Sequence, residues 1–161
     1  MGGFGIAILF SSFSFIYLFF VAIAIGIILY LLYSYVFQSI ASMCMLKNIG
    51  YAYPFTAWIP FYHKYLLGKI ANKQILGAIS GVLSFISICL CVHFYIHLDF
   101  DSVLFSILTI SFMTTLIIET IIAHQIYKTH TKYADIFTIF TILSFGILKP
   151  IFLFSIRNMG I

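Results

Sequence analysis

Long apolar runs separated by short polar clusters dominate this chain. The first charged residue is Lys47, so 46 residues pass without a charge. A helix needs about 20 apolar residues to cross a hydrocarbon core of about 30 Å. As one helix the opening run would measure about 69 Å, more than twice that thickness. The polar cluster that could turn it, Ser11, Ser12 and Ser14, leaves too short a segment before it for a separate span. The pattern predicts one long helix from about Ser14 to Leu46, preceded by an apolar interfacial stretch; two spans in this region are the alternative. Tyr30, Tyr33 and Tyr35 would mark its meeting with the headgroups, where a phenol keeps its body apolar and its tip wet. Further spans are expected over Ile75–His97, Val103–Tyr127 and about Ile136–Phe154, the last interrupted at Lys149-Pro150. The polar clusters Leu98–Ser102 and Lys128–Asp135 are short, which forces neighbouring helices antiparallel. The expected fold class is all-α: a polytopic four-transmembrane-helix bundle forming a single membrane domain over residues 1–161.

Composition narrows the class further. Of 161 residues, 63% are hydrophobic and 7% charged, and the mean hydropathy is +1.17. A soluble domain is about half apolar and about a quarter charged, and a chain this size cannot bury so many Phe, Ile and Leu in one core. Its eight Lys and Arg are too sparse for a nucleic-acid-binding surface. No Lys or Arg precedes the first apolar run and no small-residue cleavage site closes it, so it reads as a retained anchor. Cys44, Cys89 and Cys91 are odd in number, and Cys89 and Cys91 point about 200° apart on a helix, so buried thiols are expected.

Charge placement sets the expected orientation. The first loop carries Lys47, Lys64, Lys69 and Lys73; the second carries Asp99 and Asp101; the third carries Lys128 and Lys132 against Asp135. Basic loops stay cytoplasmic. A cell-membrane protein with its first and third loops cytoplasmic and both termini outside follows, with Arg157 on the wrong side.

The segment Lys47–Lys73 is too apolar for a solvated loop and too charged for a span. Pro60 suits the first turn of a helix, expected over about Phe61–Ala71. Trp58, Tyr62, Tyr65 and Leu66 share an apolar sector, His63 and Lys64 point elsewhere, and Lys69 and Lys73 project into the apolar sector. This predicts an interfacial helix with Trp58, Tyr62, Lys64, Lys69 and Lys73 against lipid or a protein partner. The run Trp58-Ile59-Pro60-Phe61-Tyr62, followed by Tyr65-Leu66-Leu67, Lys69-Ile70-Ala71 and Lys73, resembles an uncharacterised family of small bacterial multi-spanning membrane proteins. A similar module is sometimes joined to a signal peptidase. Ala123–Lys128 and Phe137–Phe154 resemble that family's later motif and last apolar segment. The family often has Asn in place of His63 and Gly in place of Asn72. The resemblance implies topology and no chemistry, and no peptidase Ser and Lys pair is recognised here.

Among candidate sites, Glu119 is the acid deepest within a span, and such carboxylates face a bundle interior or water. An interhelical hydrogen bond is expected for it, with proton or ion handling as the alternative. Lys149 is expected to snorkel outward; a reach towards Glu119 is the alternative, disfavoured by depth, about 21 Å against about 12 Å from the inner face. Gly77, Gly81 and Ser84 form a small-residue face for helix packing, within the chain or in a homo-oligomer. His93 and His97, followed by Asp99 and Asp101, have spacing that suits a divalent ion, although interfacial imidazoles are the expected reading. Glu119, about 24 Å from the outer end of its helix, is too deep to join them. His63, His124 and His130 are placed near the cytoplasmic surface. No Gly-rich phosphate loop, nucleophile elbow or metalloprotease helix occurs, and no cofactor, metal or catalytic residue is expected. The expected function is a non-enzymatic accessory, scaffold or regulatory subunit of a membrane complex; the alternative is a small oligomeric transporter or channel using Glu119.

Overall fold

A computed structural model describes residues 2–97 and 101–158, with side chains described outside residues 2–14, 95 and 97. The chain divides into two compact units between Val36 and Phe37. Helix α1 (Gly2–Asn48) starts well before Ser14, and the serine cluster does not turn it. In the first unit its large side chains, among them Phe15, Phe19, Phe20 and Leu29, are exposed, as suits a helix whose solvent is lipid.

The second unit contains the rest. After α1 come a 3-10 turn (Pro54–Trp58), α2 (Tyr62–Ile70), α3 (Gln74–His97), α4 (Ser102–His130), α5 (Ala134–Leu143) and α6 (Lys149–Ile156). Among the described residues three helices are long and apolar enough to cross a membrane: Phe15–Asn48, Gln74–Phe94 and Ser102–His130. The protein is all-α and membrane-embedded. Helices α3 and α4 are antiparallel, since Ser87 meets Ser111 at 2.9 Å and Ser80 meets Glu119 at 3.4 Å. Asp101 caps α4 by accepting from the Val103 N–H at 2.8 Å.

Two segments depart from the expected topology. The helix expected over about Phe61–Ala71 forms as α2 and runs alongside α3, antiparallel to its first half. Gly68 and Gly77 make this possible: a Cβ on Gly77 would lie 2.6 Å from the Lys64 carbonyl oxygen and 2.9 Å from the Gly68 Cα. Further along, Phe61 packs edge-on against Phe85 at 5.5 Å. The buried stripe of α2 is His63, Leu66, Leu67 and Ile70, a helical period, while Tyr62 faces out. His63 and Lys64 are expected outside the apolar sector; His63 instead faces inward and Lys64 faces α3 and α4.

The second departure lies in the region expected to form the fourth span, which is divided into two short helices. Helices α5 and α6 measure about 15 Å and about 12 Å, each too short to cross. Between them Phe145 (φ 50°) and Gly146 (φ 84°) take left-handed backbone conformations, and the Gly146 N–H bonds to the Thr141 carbonyl at 2.8 Å. This is a helix stop, and Pro150 then opens α6 in its first turn. The chain reverses there: Phe137 of α5 stacks on Phe152 of α6 with ring centroids 4.6 Å apart. Tyr127 of α4 packs edge-on against both rings, and its hydroxyl meets that of Thr141 at 3.3 Å. The returning helix ends beside the end of α1, where the Asn48 side-chain amide donates to the Arg157 carbonyl at 3.3 Å. Arg157 therefore lies at the same end of this unit as the first loop. The core below the hairpin joins Ala41, Met45 and Leu46 of α1 to Leu66, Ile126, Tyr127, Leu153 and Ile156.

Candidate functional site

The two doubled-back segments converge on Glu119. Its carboxylate sits on α4, about 17 Å from the end of the helix at His130. Lys64, carried by α2, places its ammonium 2.5 Å from Glu119 Oε1. Lys149, the first residue of α6, pairs with Oε2. The Ser80 hydroxyl donates to Oε1 at 3.4 Å, and Lys64 also donates to the Ser84 hydroxyl, which in turn donates to the Ser80 carbonyl at 2.7 Å. The side chains are mostly shielded, at 18% exposure for Lys64, 17% for Glu119 and 7% for Lys149. One glutamate and two lysines from α4, α2 and α6 thus form one cluster against serines of α3.

Each partner arrives for a local reason. Lys64 reaches α3 because the glycine contact lets α2 approach backbone to backbone. Lys149 reaches Glu119 because the Phe145-Gly146 turn brings the chain back; a straight helix would have left it higher. The expectation that depth separates Lys149 from Glu119 is corrected here, and so is the outward snorkelling. A cavity of about 10 Å³ adjoins the cluster, lined by Lys64, Ser80, Glu119 and Lys149 and otherwise by apolar side chains. Such a space holds about one water molecule.

His63 stands next to the cluster. Burial pushes its imidazole from 6.5 down to about 4; the Lys64 and Lys149 ammoniums add to this and the Glu119 carboxylate opposes it.

The other residues singled out in the sequence lie elsewhere. Lys69 covers the Tyr51 ring at 4.4 Å, Lys73 is exposed, Trp58 is 41% exposed, and Tyr62 pairs with the Tyr65 ring at 5.4 Å. Gly77 and Gly81 face α2 and Phe61, so their packing is within the chain. His124 bonds Thr138 at 2.8 Å, joining α4 to α5, and His130 bonds the Ile126 carbonyl of its own helix at 2.9 Å. Cys44, Cys89 and Cys91 are free thiols; Cys44 is half-buried and the other two are exposed. The His97 side chain and Asp99 lie outside the described residues, while Asp101 is occupied as a helix cap. Among the described residues no three His, Cys, Asp or Glu side chains gather as a metal site would require.

These features define a class: a helical membrane protein with one cluster of charged side chains, Lys64, Glu119 and Lys149, inside its bundle. Comparison with protein-family models, curated proteins and solved structures finds no match for the chain.

Proposed function

We propose that this chain is a non-enzymatic integral membrane protein acting as an accessory or scaffold subunit of a larger membrane assembly. The observation that carries the reading is the pairing of Glu119 with lysines from two separate doubled-back segments. This pairing joins α2, α4 and α6 to one another, and the space adjoining it is small, about 10 Å³. The Lys64 ammonium bound to Ser84 is itself paired with Glu119, so it is not a free base for activating that hydroxyl. Outside the bundle, large apolar side chains of α1 face the bilayer, available to a membrane partner as well as to lipid.

In this reading α1, α3 and α4 cross the bilayer, while the α2 segment and the α5–α6 hairpin are re-entrant from one side. Lys47, Lys69, Lys73, Lys128, Lys132 and Arg157 belong to that side, which the positive-inside rule makes cytoplasmic. Arg157 then ceases to be an exception, and the carboxyl-terminal residues are cytoplasmic instead of external. The Trp58–Lys73 motif of the resembled bacterial family becomes the element that delivers Lys64. A small transporter remains the second reading, favoured by the position of Glu119 and two lysines beside a cavity in an apolar bundle.

Photo-crosslinking residues at Phe19 and Leu29, together with a flux assay in proteoliposomes, separate the two. The subunit reading expects crosslinks to one defined membrane polypeptide and no flux sensitive to Glu119→Gln. Crosslinks to lipid alone, or ion flux abolished by Glu119→Gln, would overturn it.

A further inference from the structure

The cations outside the bundle gather at one end. Lys64 and Lys149 belong to the Glu119 cluster; the others are Lys47, Lys69, Lys73, Lys128, Lys132 and Arg157. They close α1, join α2 to α3, join α4 to α5 and follow α6. The α2–α3 turn holds two of them close together. Asn72 (φ 54°) stops α2, and its left-handed backbone lets the Lys73 N–H bond back to the Gly68 carbonyl at 2.7 Å. Lys69 and Lys73 therefore leave the same tight turn. The Lys69 stem reaches across the Tyr51 ring, with the ammonium 4.4 Å from its centroid, and Lys73 is exposed. Among the described residues both ion pairs belong to Glu119, so neither of these lysines is matched by a carboxylate. Two residues beyond Lys73, Ile75 is 77% exposed at the start of a helix long enough to cross the membrane. A free ammonium followed at once by an exposed apolar side chain marks the step from headgroups to hydrocarbon. A free phosphate would meet the lysines alone; a phospholipid meets both them and Ile75.

We propose that the α2–α3 turn seats the headgroup of an anionic phospholipid, with its phosphate against Lys69 and Lys73 and its acyl chains along α2 and the start of α3. A zwitterionic lipid offers the same phosphate but brings its own cation, so the two lysines select a headgroup of net negative charge. The surface lies apart from Glu119 and holds for a subunit and a transporter alike.

The test reads the fluorescence of Trp58, the chain's one tryptophan, in the full protein reconstituted in phosphatidylcholine vesicles. Trp58 is 41% exposed and precedes the deep end of α2, which descends about 12 Å from Lys69 to Phe61. The acyl chains of a lipid seated at the turn run to that depth. Phosphatidylglycerol with brominated acyl chains should quench Trp58 more than brominated phosphatidylcholine at the same mole fraction. The relative association constant should be about 5 or more, the gain from at least one lysine at an anionic headgroup. Raising the salt to about 1 M should shrink that preference. Lys69→Gln/Lys73→Gln should bring the constant to about 1, whereas Lys69→Arg/Lys73→Arg should keep it. Equal quenching by the two lipids, a preference untouched in the Gln variant, or one abolished by inorganic phosphate at constant ionic strength (a free-anion site) would each overturn the proposal.

Discussion

Replacing Glu119 by Gln removes the carboxylate from a cluster that keeps two ammonium groups. Removing one partner of a buried ion pair costs about 3–5 kcal/mol, because the remaining charge has lost its compensation. Here two lysines lose it at once, with side-chain exposures of only 18% and 7%, so the upper end, about 5 kcal/mol, is expected. Lys149→Met behaves differently. It removes a charge together with one pairing and leaves Lys64 bonded to Glu119 and Ser84, so it should cost far less than Glu119→Gln. The triple variant Glu119→Leu/Lys64→Met/Lys149→Met removes every buried charge and should recover most of what Glu119→Gln loses. Reversible unfolding in bicelles, read by steric trapping, measures all three on one scale. The reasoning fails if Glu119→Gln lies within about 1 kcal/mol of the unaltered protein. It fails equally if Lys149→Met costs as much as Glu119→Gln.

Three further outcomes follow from the same geometry. Gly77→Ala places a methyl 2.6 Å from the Lys64 carbonyl oxygen, so melting in detergent should show a loss of about 1–3 kcal/mol as α2 is pushed from α3. Asn72 has φ 54°; Asn72→Gly should be neutral or stabilising, whereas Asn72→Val should cost about 1–2 kcal/mol in the same melt. His63 is held near 4 in the folded protein against 6.5 unfolded, so the unfolded chain binds the extra proton between those values. Stability is then full above pH 6.5 and falls by about 3 kcal/mol as pH drops to about 4; His63→Gln should remove that slope from a pH series of melts.

Much of the fold was legible from hydropathy alone. The expected spans Ile75–His97 and Val103–Tyr127 match α3 and α4 to within about a turn, because nothing in those runs competes with a helix. The hairpin of α5 and α6 was not, although its signals were present. Pro150 looked like a kink in a continuing helix, yet Gly146 four residues earlier supplies a stop, and a Gly stop followed by a Pro start is a reversal. A straight helix would hold Lys149 above Glu119; the reversal brings it level with the carboxylate. The α2 face was misread for a different reason. Treating polar residues as outward-facing is a rule for water; in a bilayer the polar residues of a packed segment face the bundle, as His63 and Lys64 do. No periodicity would have found the meeting of Lys64 with Glu119, which depends on the Gly68–Gly77 contact between different helices.

The central claim is that residues 134–156 double back instead of crossing. Cysteines at Phe137 and Phe152, in a background with Cys44, Cys89 and Cys91 replaced by serine, test it in native membranes. The ring centroids are 4.6 Å apart in the hairpin, while a straight helix would separate the two positions by about 22 Å. Rapid disulfide formation between them under mild oxidation is the predicted result. Failure to form that bond, with the two thiols labelled from opposite faces of the membrane, would contradict the account.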